Sequence, residues 1–267
     1  METLPEFFSE MLAREILKKY GPARVIIGNN VVAHIDDHHD LVRGVKSLLR
    51  EDGAFIFEAP YLLDMFENLT FDTVYHEHLS YLSLRPLMNL FRQYGMEIFD
   101  VKSFPVQGNS IRIYAGKEGG HPVISNVASF LENERLREAH EYPAYLRLAD
   151  AVYRLKEEVV GFLKKVKSGG KRIAAYGAPA KGNTLLNFFG IGNDLIEYAT
   201  EELPSKVGLF TPGTHIPVVD ITWARKNPPD YFLLLAWNQK DAILKKEEEL
   251  RSQGVKFIMP VGNVRVI

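Results

Sequence analysis

The sequence predicts an α/β protein with two units, each built on a mainly parallel sheet, and three observations carry this prediction. Short apolar runs that end in small polar residues alternate with amphipathic helical stretches in both halves of the chain. A long helical pattern, about residues 122–168, separates the halves. The 267 residues are enough for one large or two ordinary domains. We therefore divide the chain into 1–118, a helical linker 119–169, and 170–267.

The first unit begins with a strand and a capped helix. Arg24–Asn30 is a β-branched run that predicts a buried parallel strand. Asp37 can cap a helix over about 38–50, whose leucines and valines share one face and which Gly53 follows. A second strand is predicted over Ala54–Ala59, where a proline stops it.

Two adjacent strands complete the first unit. Ser83 begins a predicted helix to about Tyr94. The strands Met96–Phe104 and Ser110–Ala115 follow, joined by the turn-forming segment Pro105–Asn109. An alternating strand–helix pattern that ends in an antiparallel pair is typical of the second half of a doubly wound sheet. It fits the class I methyltransferase pattern, although other α/β folds share it.

The linker and the second unit continue the α/β pattern. Pro143 divides the long helical stretch, and Ser168–Gly170 ends it. Lys171–Tyr176 is a predicted strand, and Gly177–Thr184 turns the chain into a helix that begins near Leu185. The remaining predicted elements are strands at 195–200, 231–236 and 255–259 and a helix at 239–253.

Composition excludes several classes of function. The chain is 46% hydrophobic and 25% charged, as in globular proteins, and its net charge of −2 does not indicate a nucleic-acid or membrane-surface partner. It has no cysteine, which excludes disulfides and thiolate zinc sites and fits a cytoplasmic protein. The acidic N-terminus is not a signal peptide, and no apolar run approaches the roughly 20 residues of a membrane span.

A short polar segment, Asp72–Tyr81, carries the residues best suited to acid–base chemistry. Tyr75, His76, Glu77 and His78 are consecutive. Imidazole exchanges protons near neutral pH, a carboxylate can fix its tautomer, and a phenol can donate a hydrogen bond to a developing oxyanion. The alternative is a polar loop whose histidines only bond their neighbours.

The end of the first strand should lie near that loop. Asn29, Asn30 and His34 follow the strand, and the Tyr75 loop follows its neighbour. Because ligands gather beyond the carboxyl ends of parallel strands, we expect His34 to approach Tyr75, Glu77 and His78. A structural role for His34 is the alternative.

Two segments of the second unit could bind an anionic ligand. Gly177–Thr184 lies between a strand and a helix, where free amides favour phosphate, and Lys181 adds a positive charge. Phe210–Pro217 is a polar loop after Glu201, suited to a sugar or a base. Both segments have a simpler interpretation as turns. A metal site at the histidines near residues 38 and 76 is disfavoured, because His38 and its neighbour start a helix that leads away.

Four segments in the same order resemble the S-adenosylmethionine-dependent sugar C-methyltransferases, which act on nucleotide-linked keto-deoxysugars. They are Asn29–His34, Phe71–Tyr81, Tyr176–Leu186 and Thr211–Pro217. The resemblance covers nearly the whole chain. It implies a partial class I methyltransferase (Rossmann-like) sheet, a helical linker, and a second Rossmann-like α/β domain that binds the sugar nucleotide.

The resemblance also implies a mechanism and a set of site residues. A base removes the proton next to the ketone of a nucleoside-diphosphate 4-keto sugar, and the enolate attacks the methyl group of S-adenosylmethionine. His78 is then the base, with Tyr75, Glu77 and His34 assisting. No metal is expected. The implied cofactor contacts are Asn29, Asn30 and Val31, and the implied substrate contacts are Tyr176, Gly177, Ala178, Lys181, Gly182, Asn183, Thr184, Glu201, Thr214 and His215.

The chain departs from the family at its start. Family members carry an N-terminal zinc module and a glycine-rich first turn that grips the cofactor, and this sequence matches only from about Phe7. We therefore expect a truncated or split enzyme that either needs an N-terminal methyltransferase fragment or has lost catalysis, with Val25–Asn29 as an exposed sheet edge. Two alternatives stay open: a keto-sugar epimerase or isomerase, and a non-catalytic sugar-nucleotide-binding protein.

Overall fold

The chain forms two compact units in the computed structural model, which describes residues 2–104 and 110–267. Unit 1 holds the described residues up to Asp64 together with those of Glu77–Ala144, and unit 2 holds Met65–His76 and Tyr145–Ile267. The predicted turn Pro105–Asn109 lies outside the described residues. No helix in the described part of the chain is long and apolar enough to cross a membrane.

Unit 1 contains a four-stranded sheet with the order β1-β2-β4-β3. Its strands are β1 Ala23–Asn29, β2 Leu49–Pro60, β3 Met96–Phe104 and β4 Ser110–Lys117. β1 and β2 are parallel, whereas β4 runs antiparallel to both β2 and β3. The predicted strands and the antiparallel final pair are therefore confirmed, although β2 begins five residues before the predicted start at Ala54 and includes Pro60.

The helices of the first half follow mostly local signals. Asp37 caps the second helix by accepting a 2.8 Å hydrogen bond from the Asp40 amide, as predicted. That helix ends at Leu48 and the next strand begins at Leu49, so the expectation that Gly53 marks its end is wrong. The helices are α1 Glu10–Tyr20, α2 His38–Leu48, α3 Leu62–Asn68, α4 Leu84–Gln93 and α5 Ser125–Leu136, with a 3-10 turn at Val32–His34.

The start of α4 is capped by a distant carboxylate. Ser83 occupies the cap position, but in the described part of the chain its side chain makes no cap bond. Glu134, on α5, instead accepts from the amides of Leu84 at 2.5 Å and Arg85 at 3.0 Å. The Tyr61 hydroxyl also donates to this buried carboxylate. The predicted helix and its N-cap position at Ser83 are confirmed, but the capping bonds come from Glu134 and not from the Ser83 side chain.

Strand β1 lies at the edge of its sheet. It pairs with β2 on one side, and among the described residues no strand pairs with its other side. Val25 and Ile27 are 50% and 66% exposed. The prediction of a buried strand is therefore wrong, and the expected exposed edge is observed.

Unit 2 is built on a six-stranded sheet with the order β10-β9-β8-β5-β6-β7. The strands from β5 to β9 are parallel, and β10 pairs antiparallel with β9. The chain winds outward from β5 in one direction and then returns to wind in the other, as in a doubly wound fold. The strands are β5 Ile173–Tyr176, β6 Ala199–Glu201, β7 Val218–Asp220, β8 Tyr231–Leu234, β9 Lys256–Met259 and β10 Arg265–Val266.

Several boundaries in unit 2 differ from prediction. The predicted strand 195–200 is wrong in its first four residues, because β6 begins only at Ala199. The helix after β5 begins at Ala180 rather than near Leu185. The predicted helix 239–253 is divided at Glu247, whose carboxylate accepts a hydrogen bond from Tyr176 of β5. The helices are α6 Tyr142–Ser168, α7 Ala180–Phe189, α8 Ile221–Lys226, α9 Lys240–Lys246 and α10 Glu248–Ser252, with 3-10 turns at Phe71–Thr73 and Trp237–Gln239.

Candidate active site

Two imidazole rings lie side by side in unit 1. His34 ends the 3-10 turn after β1, and its ring centroid lies 5.0 Å from that of His78. The segment after His78 is tied to the same turn, since the amides of Leu79 and Ser80 donate to the carbonyl of Ala33 at 2.9 and 3.2 Å. The backbone therefore fixes the approach of the two histidines.

The hydrogen bond of His34 fixes its tautomer. Its Nδ1 lies 2.6 Å from the backbone carbonyl oxygen of Glu77. Because a carbonyl can only accept, Nδ1 carries the hydrogen, and in the neutral ring Nε2 is an acceptor. His34 can therefore receive a proton or a hydrogen bond through Nε2.

The other residues of the predicted acid–base group differ in their surroundings. Glu77 contacts His34 through its backbone, and its own side chain is exposed. Tyr75 and His76 pack with unit 2, where their rings meet edge to face at 5.9 Å. Within unit 1 the structure thus brings together His34, Glu77 and His78.

The predicted cofactor residues form the open end of β1. Asn29 and Asn30 are exposed, and Val31 is about half exposed. Asn30 has a left-handed backbone (φ 53°), a conformation that asparagine tolerates better than most residues. Its backbone N–H donates to the backbone carbonyl of Glu58 in β2. This turn leaves two amide side chains at the carboxyl end of the strand.

Glycines bring helix α7 close to the sheet in unit 2. Gly177 has φ 85°, and a Cβ there would lie 3.2 Å from the Cβ of Ala236. A Cβ on Gly182 would lie 3.0 Å from Leu235. Gly182 therefore serves the packing of α7, and the amide of Gly177 donates to the Thr200 hydroxyl at 3.0 Å.

Two cavities of unit 2 share the segment between β5 and α7. The larger, of about 460 Å³, lies beyond the carboxyl ends of β5 and β6. Lys206, on its wall, donates to the Ala178 carbonyl and to Glu201, both at 3.1 Å. The smaller, of about 280 Å³, is bounded by Asn183 and Phe210. The predicted residues Tyr176, Gly177, Ala178 and Glu201 thus line the larger cavity.

Tyr176 lines the larger cavity, and its hydroxyl belongs to a buried network. It donates to Glu247 at 2.6 Å, and Arg225 donates two further bonds to that carboxylate at 2.6 and 3.0 Å. Burial, followed by the bond to Glu247, raises the pKa of Tyr176 far above its ordinary value. This hydroxyl therefore connects β5 to Glu247, the residue between α9 and α10.

The loop that carries Thr214 and His215 is fastened to α7. The hydroxyls of Thr211 and Thr214 share a 2.7 Å hydrogen bond, and Asn187 of α7 donates to the Pro212 carbonyl at 3.0 Å. His215 has a left-handed backbone (φ 54°) and is exposed. The predicted residues Asn183 and Thr184 lie half-buried on α7.

Lys181 belongs to a cluster that the sequence did not predict. Its Nζ lies 3.7 Å from the centroid of the Trp237 ring and donates to Asn238 at 2.6 Å. The indole Nε1 donates at 2.6 Å to the buried carboxylate of Asp72. Asp72 stands in the motif that the sequence singled out, but only its burial in the fold marks it as unusual. In residues 2–104 and 110–267 no group of three or more His, Cys, Asp or Glu could hold a metal ion.

Comparison with known proteins identifies the family. Residues 105–262 match the family model described as the C-methyltransferase C-terminal domain, and residues 5–101 match one described as a methyltransferase domain. The chain belongs to the C-methyltransferase family. The predicted family resemblance is thus confirmed, and the sheet of unit 1 is part of a class I, Rossmann-like methyltransferase fold.

One curated relative matches along the whole chain. The chain is 38% identical over 268 residues to the C-methyltransferase NovU of Streptomyces niveus. The match covers 100% of this chain and 64% of that protein, so the chain spans less than two thirds of the relative's length.

Proposed function

We propose that this chain belongs to an S-adenosylmethionine-dependent enzyme that methylates the carbon next to the ketone of a nucleoside-diphosphate 4-keto-deoxysugar. The observation that carries the proposal is the fixed pair of His34 and His78, with ring centroids 5.0 Å apart. The C-methyltransferase family supplies the reaction class. Methylation at carbon needs a carbon nucleophile, and a neighbouring ketone makes a C–H bond acidic enough for a positioned side-chain base.

In this proposal His78 removes the proton next to the ketone. The electron pair of the broken C–H bond forms the enolate, whose carbon then bonds to the methyl group. Bound S-adenosylmethionine supplies that methyl group as an electrophile and leaves as S-adenosylhomocysteine. His34 passes the proton from His78 onward, because its Nδ1 bond to Glu77 leaves Nε2 as an acceptor.

Tyr75 and Glu77 complete the proposed acid–base group. A phenol that donates to the enolate oxygen would lower the barrier, and such a donor is typically worth about 100-fold or more in rate. We assign this role to Tyr75. Glu77 holds the His34 ring through its backbone carbonyl, and His34, which is exposed, then releases the proton to solvent water.

The end of β1 suits one side of S-adenosylmethionine. Asn29 and Asn30 present exposed amides, which can both donate and accept, and Val31 offers apolar surface beside them. These residues fit the polar edges and the apolar face of an adenosine. We assign them as cofactor contacts and propose that further contacts come from polypeptide beyond the free edge of β1.

The free edge supports a protein partner. Val25 and Ile27 expose apolar side chains on an edge strand, an arrangement that favours pairing with another strand. We propose that a strand from an N-terminal methyltransferase fragment pairs with β1 and continues the sheet.

Unit 2 is proposed to hold the nucleotide of the substrate. Its cavity of about 460 Å³ has the size of pockets that bind small molecules, which run from about 300 to 1,000 Å³. The cavity lies at the carboxyl ends of parallel strands, beside the start of α7, where phosphate is favoured. We assign Gly177, Ala178 and Glu201 to the cavity, and Lys181 to the phosphates. Asn183 lines the smaller cavity, and we propose it as a further contact together with Thr184 of α7 and the loop residues Thr214 and His215.

Exchange of the substrate proton tests the base directly. The chain is incubated in deuterated water with a thymidine-diphosphate 4-keto-6-deoxysugar, and mass spectrometry follows deuterium at the carbon next to the ketone. We expect His78→Gln to slow exchange by about 100-fold or more. The matched control is His39→Gln, a histidine of unit 1 that bonds Tyr94 instead; it should retain exchange.

Adding S-adenosylmethionine separates the alternatives. Methylated product that requires His78 supports the proposal. Exchange without methylation, even when the N-terminal fragment of a relative is supplied, would favour an epimerase or isomerase. Sugar-nucleotide binding without any exchange would leave only a binding protein and reject the catalytic proposal.

A further inference from the structure

Asp72 is a fully buried carboxylate of unit 2 with little hydrogen bonding. Its Oδ2 accepts from Trp237, whereas Oδ1 has no hydrogen-bond partner in the described part of the chain. Burial raises the pKa of Asp72 to about 6, against the opposing effects of Lys181 and of the Trp237 bond. A carboxylate in such a position destabilises the fold, so packing alone does not account for it.

Lys181 interacts with the same indole ring. Its ammonium lies over the ring face, 3.7 Å from the centroid, which is a close cation–π contact. Burial lowers the pKa of Lys181 to about 8, and the charge of Asp72 opposes that decrease. The Trp237 ring thus binds a carboxylate at its N–H edge and an ammonium at its face.

This arrangement stabilises the positive charge of Lys181 without an additional hydrogen bond from its ammonium group. An N–H that donates to a carboxylate places more electron density on the ring, which strengthens attraction for a cation at the face. Asp72 therefore supports the charge of Lys181 both through space and through the ring. An ammonium has three donors, and Asn238 takes the one hydrogen bond that the described residues give it. A direct ion pair between Lys181 and Asp72 would occupy another of these three donors.

We propose that Asp72 and Trp237 are positioning residues that hold Lys181 as a cation for the diphosphate of the sugar nucleotide. The inference rests on the proposed function and assigns one charged residue to the diphosphate. Lys181 is the second residue of α7, where the first-turn amides also attract an anion. The segment that carries Asp72 packs against the same helix, with the rings of Phe71 and Phe189 stacked at 5.0 Å.

This packing links the diphosphate contact to the acid–base motif. Asp72 is three residues before Tyr75 in the chain, and its 3-10 turn rests on the helix that carries Lys181.

Tryptophan fluorescence tests the link between Asp72 and Lys181 without any substrate. The chain has two tryptophans, and Trp223→Phe leaves Trp237 as the single reporter. The groups that titrate beside it are Asp72 on the 71–73 turn and Lys181 on α7, so we expect transitions near pH 6 and pH 8. Adding Asp72→Asn should abolish the first and move the second to lower pH, because the carboxylate raises the pKa of Lys181. An unmoved second transition overturns the inference.

Binding of thymidine diphosphate, measured by calorimetry on the full chain, tests the ligand. Wild-type affinity should fall about tenfold per pH unit once Lys181 deprotonates, above about pH 8. Asp72→Asn should start this fall at lower pH and weaken binding about tenfold near pH 8. Trp237→Phe keeps an aromatic ring but loses the N–H donor. Its affinity near pH 8 should lie between those of wild type and Asp72→Asn. Lys171→Gln removes a solvent-exposed ion pair and should bind like wild type.

The possible failures are distinguishable. Binding with the same pH dependence in Asp72→Asn and wild type would overturn the positioning role and leave the proposed nucleotide site standing. Absence of thymidine diphosphate binding by wild type at every pH would reject the nucleotide site of the proposed function and the inference together.

Discussion

Strands β1 and β5 are each the first strand of a sheet, each has parallel neighbours and each has an apolar sequence, yet their surroundings differ. β5 pairs with β8 on one side and β6 on the other, and all four of its residues are buried. β1 pairs with β2, and half or more of the surface of Val25 and of Ile27 is exposed. An apolar, β-branched run therefore predicts a strand but not its number of neighbours, because distant parts of the polypeptide supply those neighbours.

The two strands also end alike. Each is followed by a residue with a left-handed backbone, Asn30 after β1 and Gly177 after β5. In both units this turn leads into a segment of proposed ligand contacts. The difference is again one of packing: Gly177 lies against Ala236, whereas Asn30 is exposed.

The largest effect is expected at the centre of the unit 2 sheet. Ile173 is 1% exposed, so Ile173→Ala removes buried methyl groups and leaves a cavity. We expect the free energy of unfolding to fall by about 2–5 kcal/mol. Urea unfolding followed by far-UV circular dichroism measures it. A loss below about 1 kcal/mol would contradict the central, two-sided burial of β5.

A smaller effect is expected at the turn after β5. Gly177→Ala forces a side chain onto a left-handed residue and against Ala236, at a cost of about 1–3 kcal/mol. Gly208→Ala is a matched control, since Gly208 has a similar φ of 86° and open space around its Cβ position. The difference between the two unfolding energies isolates the crowding. Equal losses would mean that backbone strain alone, and not the contact with Ala236, requires glycine at Gly177.

The parts of the fold that could be predicted are those set by residues close to one another in the sequence. The cap at Asp37 and the apolar period of α2 lie within a few residues of each other, and both were predicted. Glu134 caps α4 from a position 50 residues away from Leu84, and Trp237 bonds Asp72 across 165 residues. Such pairs follow from the packing of distant segments, which no local period encodes.

The candidate site shows the same contrast between features set by local sequence and features set by the packing of the folded chain. The motif around His78 and its approach to His34 followed from residue types and from the edge at which parallel strands end. The tautomer of His34 depends on a backbone carbonyl, at Glu77, where the sequence had suggested a side chain. Asp72 appeared in the motif without a role, because its burial and its unpaired oxygen are properties of the folded unit.

The smallest effect is expected at the edge strand, and it sharpens the comparison most. Ile27→Ala is the counterpart of Ile173→Ala, but Ile27 is 66% exposed and should lose less than about 1 kcal/mol. The same urea experiment at low protein concentration measures it. A loss equal to that of Ile173→Ala would mean that another strand, such as that of a second copy, already covers β1, and the loss would then depend on protein concentration. If an N-terminal methyltransferase fragment pairs with β1 as proposed, adding it should raise the cost of Ile27→Ala toward the core value and leave the cost of Ile173→Ala unchanged.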